Sequence, residues 1–101
     1  MTLIMITCEE ALLEEVWGLL TEGGVKGYTV ISEVVSHSET DPSPPPIDWK
    51  GKCSLFLCVL DEAHVGPVTT RLKAFKQDLT NKRHGLEVDL RVYTLPCERV
   101  C

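Results

Sequence analysis

The sequence predicts an α+β domain in the ferredoxin-like order βαββαβ, an antiparallel four-stranded sheet with both helices on one face. Three observations carry that expectation. Two stretches repeat their apolar residues at helical spacing, and each lies between strand-like runs. The last run alternates apolar and polar residues, as a strand with one wet face does. The first and third runs are apolar on both parities, as central strands are.

Leu3 to Cys8 is an apolar run of strand length. From Cys8 to Glu22 the period changes, with Leu12, Leu13, Val16, Leu19 and Leu20 at helical spacing and Glu9, Glu10, Glu14 and Glu15 near the start. Acid in the first turns suits a helix N-terminus, where unpaired amides leave partial positive charge. Gly23-Gly24 ends this helix, because glycine accepts a left-handed cap cheaply. Tyr28 to Val35 is rich in β-branched residues and reads as the second strand. Asp41-Pro42-Ser43-Pro44-Pro45-Pro46 cannot form ladder hydrogen bonds, so Ser36 to Trp49 is a loop or polyproline-like excursion. Loops of this length in small domains often carry function. Cys53 to Leu60 resumes a strand. Val65, Val68, Leu72, Phe75 and Leu79 then mark a second helix from near Asp61, starting or kinking at Gly66-Pro67. Asn81 to Gly85 is a turn, and Leu86 to Leu95 is the fourth strand, with Val88, Leu90 and Val92 on one face.

In this order the first and third strands are central and the second and fourth are edges. Leu55 and Leu57 point one way, and Phe56, Cys58 and Leu60 the other. Two helices cover only one sheet face. Burying a large apolar side chain is worth roughly 1.5–3 kcal/mol, so the other face needs a cover as well. Another copy of the chain in a closed cyclic assembly is the simplest one, and a homotrimer is expected.

A chain of 101 residues is one domain's worth, read here as residues 1–101 with a loop insertion at about 36–50. With 44% apolar residues and a formal charge of −5, it is neither disordered nor suited to a nucleic-acid or anionic-membrane surface. No apolar run approaches the ~20 residues of a membrane helix, so no membrane insertion is expected. The first eight residues lack a basic leader, which makes a cytoplasmic location the expectation. There is no G-x-S-x-G, P-loop or H-E-x-x-H motif, and the paired glutamates are surface helix charge, so the chain does not read as an enzyme.

Five cysteines without an export signal read as reduced thiols. Cys8, Cys53 and Cys58 lie in apolar runs and are small core residues. Cys97 and Cys101 stand four apart near the end of the chain, an arrangement that fits a disulfide, a thiol switch or a soft-metal clasp as well as two idle tail thiols. Half of the ten basic residues fall between 71 and 84: Arg71, Lys73, Lys76, Lys82 and Arg83. Arg71, Lys73 and Lys76 read as a solvated helix face. Lys82 and Arg83 stand in a charged turn, where fixed cations and turn amides can share the charge of an anion. His37 stands at the loop root beside Glu39 and Asp41, while His64 and His84 lie in other segments. Trp49, after the prolines, either anchors a ligand or partner or tucks the loop onto the sheet.

Leu19-Leu20-Thr21-Glu22-Gly23-Gly24-Val25-Lys26-Gly27-Tyr28-Thr29-Val30, followed by Glu33-Val34, resembles the helix-to-strand segment of PII signalling proteins. The proline-rich insertion sits where that family has its T-loop, and Thr80-Asn81-Lys82-Arg83-His84-Gly85 where it has its phosphate-binding B-loop. The resemblance implies a homotrimer with an adenine nucleotide (ADP, AMP or ATP) in each cleft between subunits. The ligand would reset a loop that docks on a transporter, channel or enzyme. Gly27 and Thr29 match the strand lining the base, Phe56 and Cys58 fall at the neighbouring wall, and Lys82, with Arg83 beside it, matches the phosphate contact.

Departures narrow the resemblance. Ser36 and Ser38 stand where the family opens its loop with glycines, the loop itself has no tyrosine to modify, and the Gly-Asp-Gly-Lys element is missing. The chain is more similar to PII-like outgroups with short T-loops, linked to bicarbonate uptake and carboxysome regions. This makes bicarbonate a second expected ligand and Ser36, His37, Ser38 and Trp49 the effector-loop candidates. Some of those outgroup members carry paired C-terminal cysteines, which the resemblance assigns to Cys97 and Cys101 as redox elements. A CutA-like metal-binding or metal-tolerance trimer, using thiols and His37, shares the fold and is the alternative.

Overall fold

The computed structural model describes residues 1–34, 53–84 and 88–101. β1 (Thr2–Glu9) passes through a 3-10 turn (Glu10–Leu12) into α1 (Leu13–Glu22); β2 (Thr29–Val34), β3 (Cys53–Leu60), α2 (Glu62–Lys82) and β4 (Leu90–Pro96) follow. The four strands lie in the order β2-β3-β1-β4, each neighbour antiparallel. The apolar-on-both-sides runs are therefore central and the alternating run is an edge, as the ferredoxin-like reading expects.

Register sets the two faces. Ile4 pairs with Cys58 and Thr94, and Ile6 with Phe56 and Val92, so the even positions of β1, β3 and β4 share the helix-covered side. There Ile4, Ile6 and Phe56 are wholly buried against Val16 and Leu20 of α1 and Val68 and Leu72 of α2. Each such side chain contributes roughly 1.5–3 kcal/mol of burial.

α1 ends in a Schellman turn. Gly24 takes φ +85, the Val25 amide donates to the Leu20 carbonyl at 3.0 Å, and the Gly24 amide donates to that of Thr21 at 3.1 Å. Val25 and Leu20, the hydrophobic pair of that motif, are both buried. α2 begins at Glu62, ahead of Gly66, and continues through Pro67, whose ring forfeits one helical hydrogen bond. The Thr69 hydroxyl donates to the Val65 carbonyl nearby at 2.9 Å. The Glu62 carboxylate accepts from the Thr2 hydroxyl at 2.8 Å and lies 3.2 Å from the Met1 amine, and these contacts hold it below the usual carboxylate range.

Several boundaries differ from the sequence reading. Cys8 and Glu9 stay in the ladder opposite Ser54 and Cys53, so the acidic stretch first terminates a strand. α2 extends through Lys82, which moves that lysine from the turn onto the helix's last turn. His84 then takes the left-handed conformation at φ 55, and the ladder of β4 begins at Leu90. Val35, the loop 36–50 and Gly85 lie outside the described residues.

Candidate functional site

The phosphate-turn candidates sit at the end of the sheet where β1 finishes and β3 begins. Arg83 donates from Nη2 to Oε1 of Glu9, an ion pair between half-buried side chains from opposite ends of the chain. That carboxylate raises the Arg83 pKa. The Glu9 amide donates to the Asp89 carbonyl at 3.0 Å, and the Cys53 thiol donates to Oδ2 of Asp89 at 3.3 Å. The end of α2, the end of β1, the start of β3 and the approach to β4 are thus joined side by side. Lys82 is exposed beside this junction and has no charged or hydrogen-bonded partner among the described residues.

The base-lining candidates lie elsewhere on the same chain. Thr29 is exposed and pairs with Leu57, while Glu9 pairs with Cys53. Four strand positions separate those two points along β3, roughly 13 Å at the rise of a strand. Gly27 is exposed, and an added methyl there would touch nothing within 4 Å. One chain does not bring Gly27 and Thr29 to Lys82 and Arg83.

Phe56 and Cys58 need correcting. They are 0% and 3% exposed, facing the helices, so neither presents a surface to a ligand. Parity is the physical reason: the outward positions of β3 are Leu55, Leu57 and Val59. Burial raises the Cys58 thiol pKa, as an inert core cysteine requires.

That outward face is apolar. Val59, Ile31, Tyr93 and Leu95 are each about half exposed, at 48%, 45%, 48% and 49%, around the partly covered Leu3, Met5, Leu55 and Leu57. At one end lies a cavity of about 430 Å³ lined by Met1, Leu3, Val59, Cys97, Glu98 and Arg99. Cys97 is half-buried, its amide donating to the Met1 carbonyl at 3.2 Å, and Cys101 is exposed; both are free thiols. Ser36, His37, Ser38 and Trp49 lie outside the described residues.

The sequence reading missed two arrangements. The Glu9–Arg83 pair spans 74 residues and has no local signature. The indole of Trp17, 47% exposed, donates to the hydroxyl of Tyr28, whose ring stands 6.2 Å from Phe56. A tryptophan next to the buried Val16 on α1 was the available signal, since it falls off the core stripe.

Among the described residues no group of three or more His, Cys, Asp or Glu is placed to hold a metal ion, and no helix is long and apolar enough to cross a membrane. No protein-family model and no curated protein sequence matches the chain. Solved structures do. CPII from Thiomonas intermedia K12, bound to ADP, AMP and acetate, superposes at a TM-score of 0.65 with 19% identity over 97% of this chain and 88% of that one. The same protein, described as a nitrogen regulatory PII-like protein and bound to ADP, AMP and bicarbonate, matches at 0.61 with 20% identity over 99% and 94%. A PII-like signalling protein of Thermus thermophilus matches at 0.59 with 17% identity over 93% and 83%. The shared property at these identities is the architecture: this chain has the fold of the PII-like signalling proteins.

Proposed function

We propose that the chain is a non-catalytic sensor, a homotrimer that binds an adenine nucleotide, together with bicarbonate, in the clefts between its subunits. The observation that carries this reading is the apolar outer face of the sheet, on a fold shared with a protein solved with ADP, AMP and bicarbonate. A second copy is the natural cover for that face. Assembly would also let Gly27 and Thr29 of one subunit meet Lys82 and Arg83 of the next, which a single chain keeps apart.

In this reading Gly27 and Thr29 line the base and Lys82 meets the phosphates, with Arg83 joining once it leaves Glu9. Loop 36–50, with Ser36, His37, Ser38 and Trp49, carries the signal to a transporter or carbon-metabolism protein. Cys97 and Cys101 form a thiol pair that responds to redox state. The ligand acts by population shift, stabilising whichever loop state it contacts better.

The test is size-exclusion chromatography with light scattering, then thermal shift with ATP, ADP, AMP and cyclic AMP, each with and without bicarbonate. A ligand specific to the native state raises the melting temperature as its concentration passes Kd. A trimer whose melting temperature rises with one nucleotide supports the reading, and a bicarbonate-dependent rise supports the second ligand. A monomer that no nucleotide stabilises overturns it.

A further inference from the structure

α1 carries an exposed aromatic pair on its outer side. The indole N–H of Trp17, 47% exposed, donates to the hydroxyl of Tyr28, itself 36% exposed just ahead of β2. The helix gives Val16 and Leu20 to the buried cluster, and neither ring belongs to it. Tryptophan and tyrosine are among the residues that most often dominate binding at protein interfaces. Gly18 stands next to Trp17 in mid-helix, where alanine is the more stable residue. The domain itself makes no demand for that glycine, because an added Cβ would meet no atom of the described residues within 4 Å. Its missing side chain leaves bare backbone beside the indole, room for a partner's chain to lie close.

The charge around the pair has one sign. Residues 1–34 hold six glutamates and a single base, Lys26. Glu9 is held by Arg83, and Glu22 lies 3.6 Å from Arg71 on the flank that faces α2. Glu10, Glu14 and Glu15 are exposed and have no cation partner among the described residues. Glu14 stands about one helical turn before Trp17 and Gly18, and Glu10 about one turn before that.

We propose that this side of α1 docks an arginine-bearing basic segment of a protein partner. A guanidinium can stack on an indole face while its fork pairs with a carboxylate, and Trp17 and Glu14 are close enough on the helix for one arginine to meet both. Glu10 offers a second basic residue its counter-charge. The surface lies on the helix side of the sheet, so an assembly through the open sheet face leaves it free, and the inference does not rest on the sensor reading.

The test is a nuclear magnetic resonance titration of the intact, isotope-labelled protein at physiological salt with a capped hexapeptide of alternating arginine and leucine. The indole N–H signal to follow is the one that Trp17→Phe removes. The same peptide with glutamate for arginine, and spermine, are parallel arms. The expected result is saturable binding that moves this signal and weakens about tenfold or more in Glu10→Gln/Glu14→Gln and in Gly18→Gln. Glutamine is a better helix residue than glycine, so Gly18→Gln should melt no lower than the unmodified chain, and its loss of binding reports the surface rather than the fold. Asp78→Asn/Glu98→Gln, which removes the same charge elsewhere, should bind as the unmodified chain does. Absence of saturable binding overturns the proposal, and so does affinity kept in either of the α1 variants. An equal loss in Asp78→Asn/Glu98→Gln overturns it as well, since that would be general attraction to an acidic chain. Equal binding of the glutamate peptide or of spermine overturns it in favour of a bare apolar patch or a free polyamine. A lower mass of Gly18→Gln in light scattering would make this side a contact between copies and would overturn it too.

Discussion

The Arg83 guanidinium, just past the end of α2, is closed onto the Glu9 carboxylate at the end of β1. A cation held this way is not available to a phosphate, so an incoming anion at this turn competes with Glu9. Glu9→Gln should tighten nucleotide binding by up to about tenfold, the worth of one released charge-assisted hydrogen bond. It should also lower the melting temperature slightly. Calorimetry checks the first, and unchanged or weaker affinity would place the phosphate away from Arg83.

Phe56 separates a core role from a ligand-contact role. Phe56→Ala should cost about 3–5 kcal/mol in urea denaturation, as large-to-small changes of buried aromatics do. Phe56→Leu, which keeps most of the volume, should leave nucleotide affinity unchanged. A selective loss of affinity in the leucine variant would return this residue to the binding wall.

Val59 lies on the uncovered sheet face, 48% exposed in the single chain. Val59→Glu should shift a trimer to monomers in light scattering, because an unpaired carboxylate in a covered apolar interface costs several kcal/mol. The monomer should keep its far-ultraviolet circular dichroism. A trimer that tolerates glutamate there would mean that this face is not the interface.

Burial, with the Asp89 carboxylate adding to it, pushes the Cys8 thiol from 9.0 up to about 12. The fold favours the neutral thiol, and the unfolded chain loses its proton first. The stabilising contribution is therefore complete below about pH 9 and is lost as pH rises towards 12. Urea midpoints should fall on the alkaline side, and fall less steeply in Cys8→Ala. In native protein near neutral pH, iodoacetamide should modify the exposed Cys101 well before the buried Cys8 and Cys58.

Gly24 holds the left-handed position that closes α1. Gly24→Ala should destabilise the domain by about 1–2 kcal/mol, the cost of that conformation for a residue with a Cβ. Ala at Gly27 meets open space and should cost far less, and comparing the two midpoints in urea tests the assignment.

Much of this architecture is legible in the residues. Two-sided apolarity places β1 and β3 in the middle, and the parity of Phe56 against Leu57 already separates the covered face from the open one. Helix spacing locates Val16, Leu20, Val68 and Leu72 in the core. What misleads is local chemistry that serves two purposes. Glu9 and Glu10 look like the acidic start of a helix, yet Glu9 closes a strand and holds an arginine 74 residues away. Lys82 stands beside turn-forming residues, yet it is the last residue of α2. Assigning Phe56 and Cys58 to a ligand wall follows from family position and sets aside the parity rule that gives them to the core. Long-range ion pairs leave no trace in local spacing, which is why Arg83–Glu9 emerges only in three dimensions.

The contact between Lys76 and the Leu90 carbonyl has a consequence for solubility. β4 is an outer strand, and an open strand edge is a template on which further chains can stack into fibrils. An ammonium group caps that edge at its first residue, and Pro96, with no amide hydrogen to donate, closes it at its last. The stretch left between them is short, Arg91 to Leu95, and begins with a positive charge. Replacing Lys76 with an apolar residue would remove that guard, and the cost would appear as fibrillation at high concentration well before it appeared as unfolding.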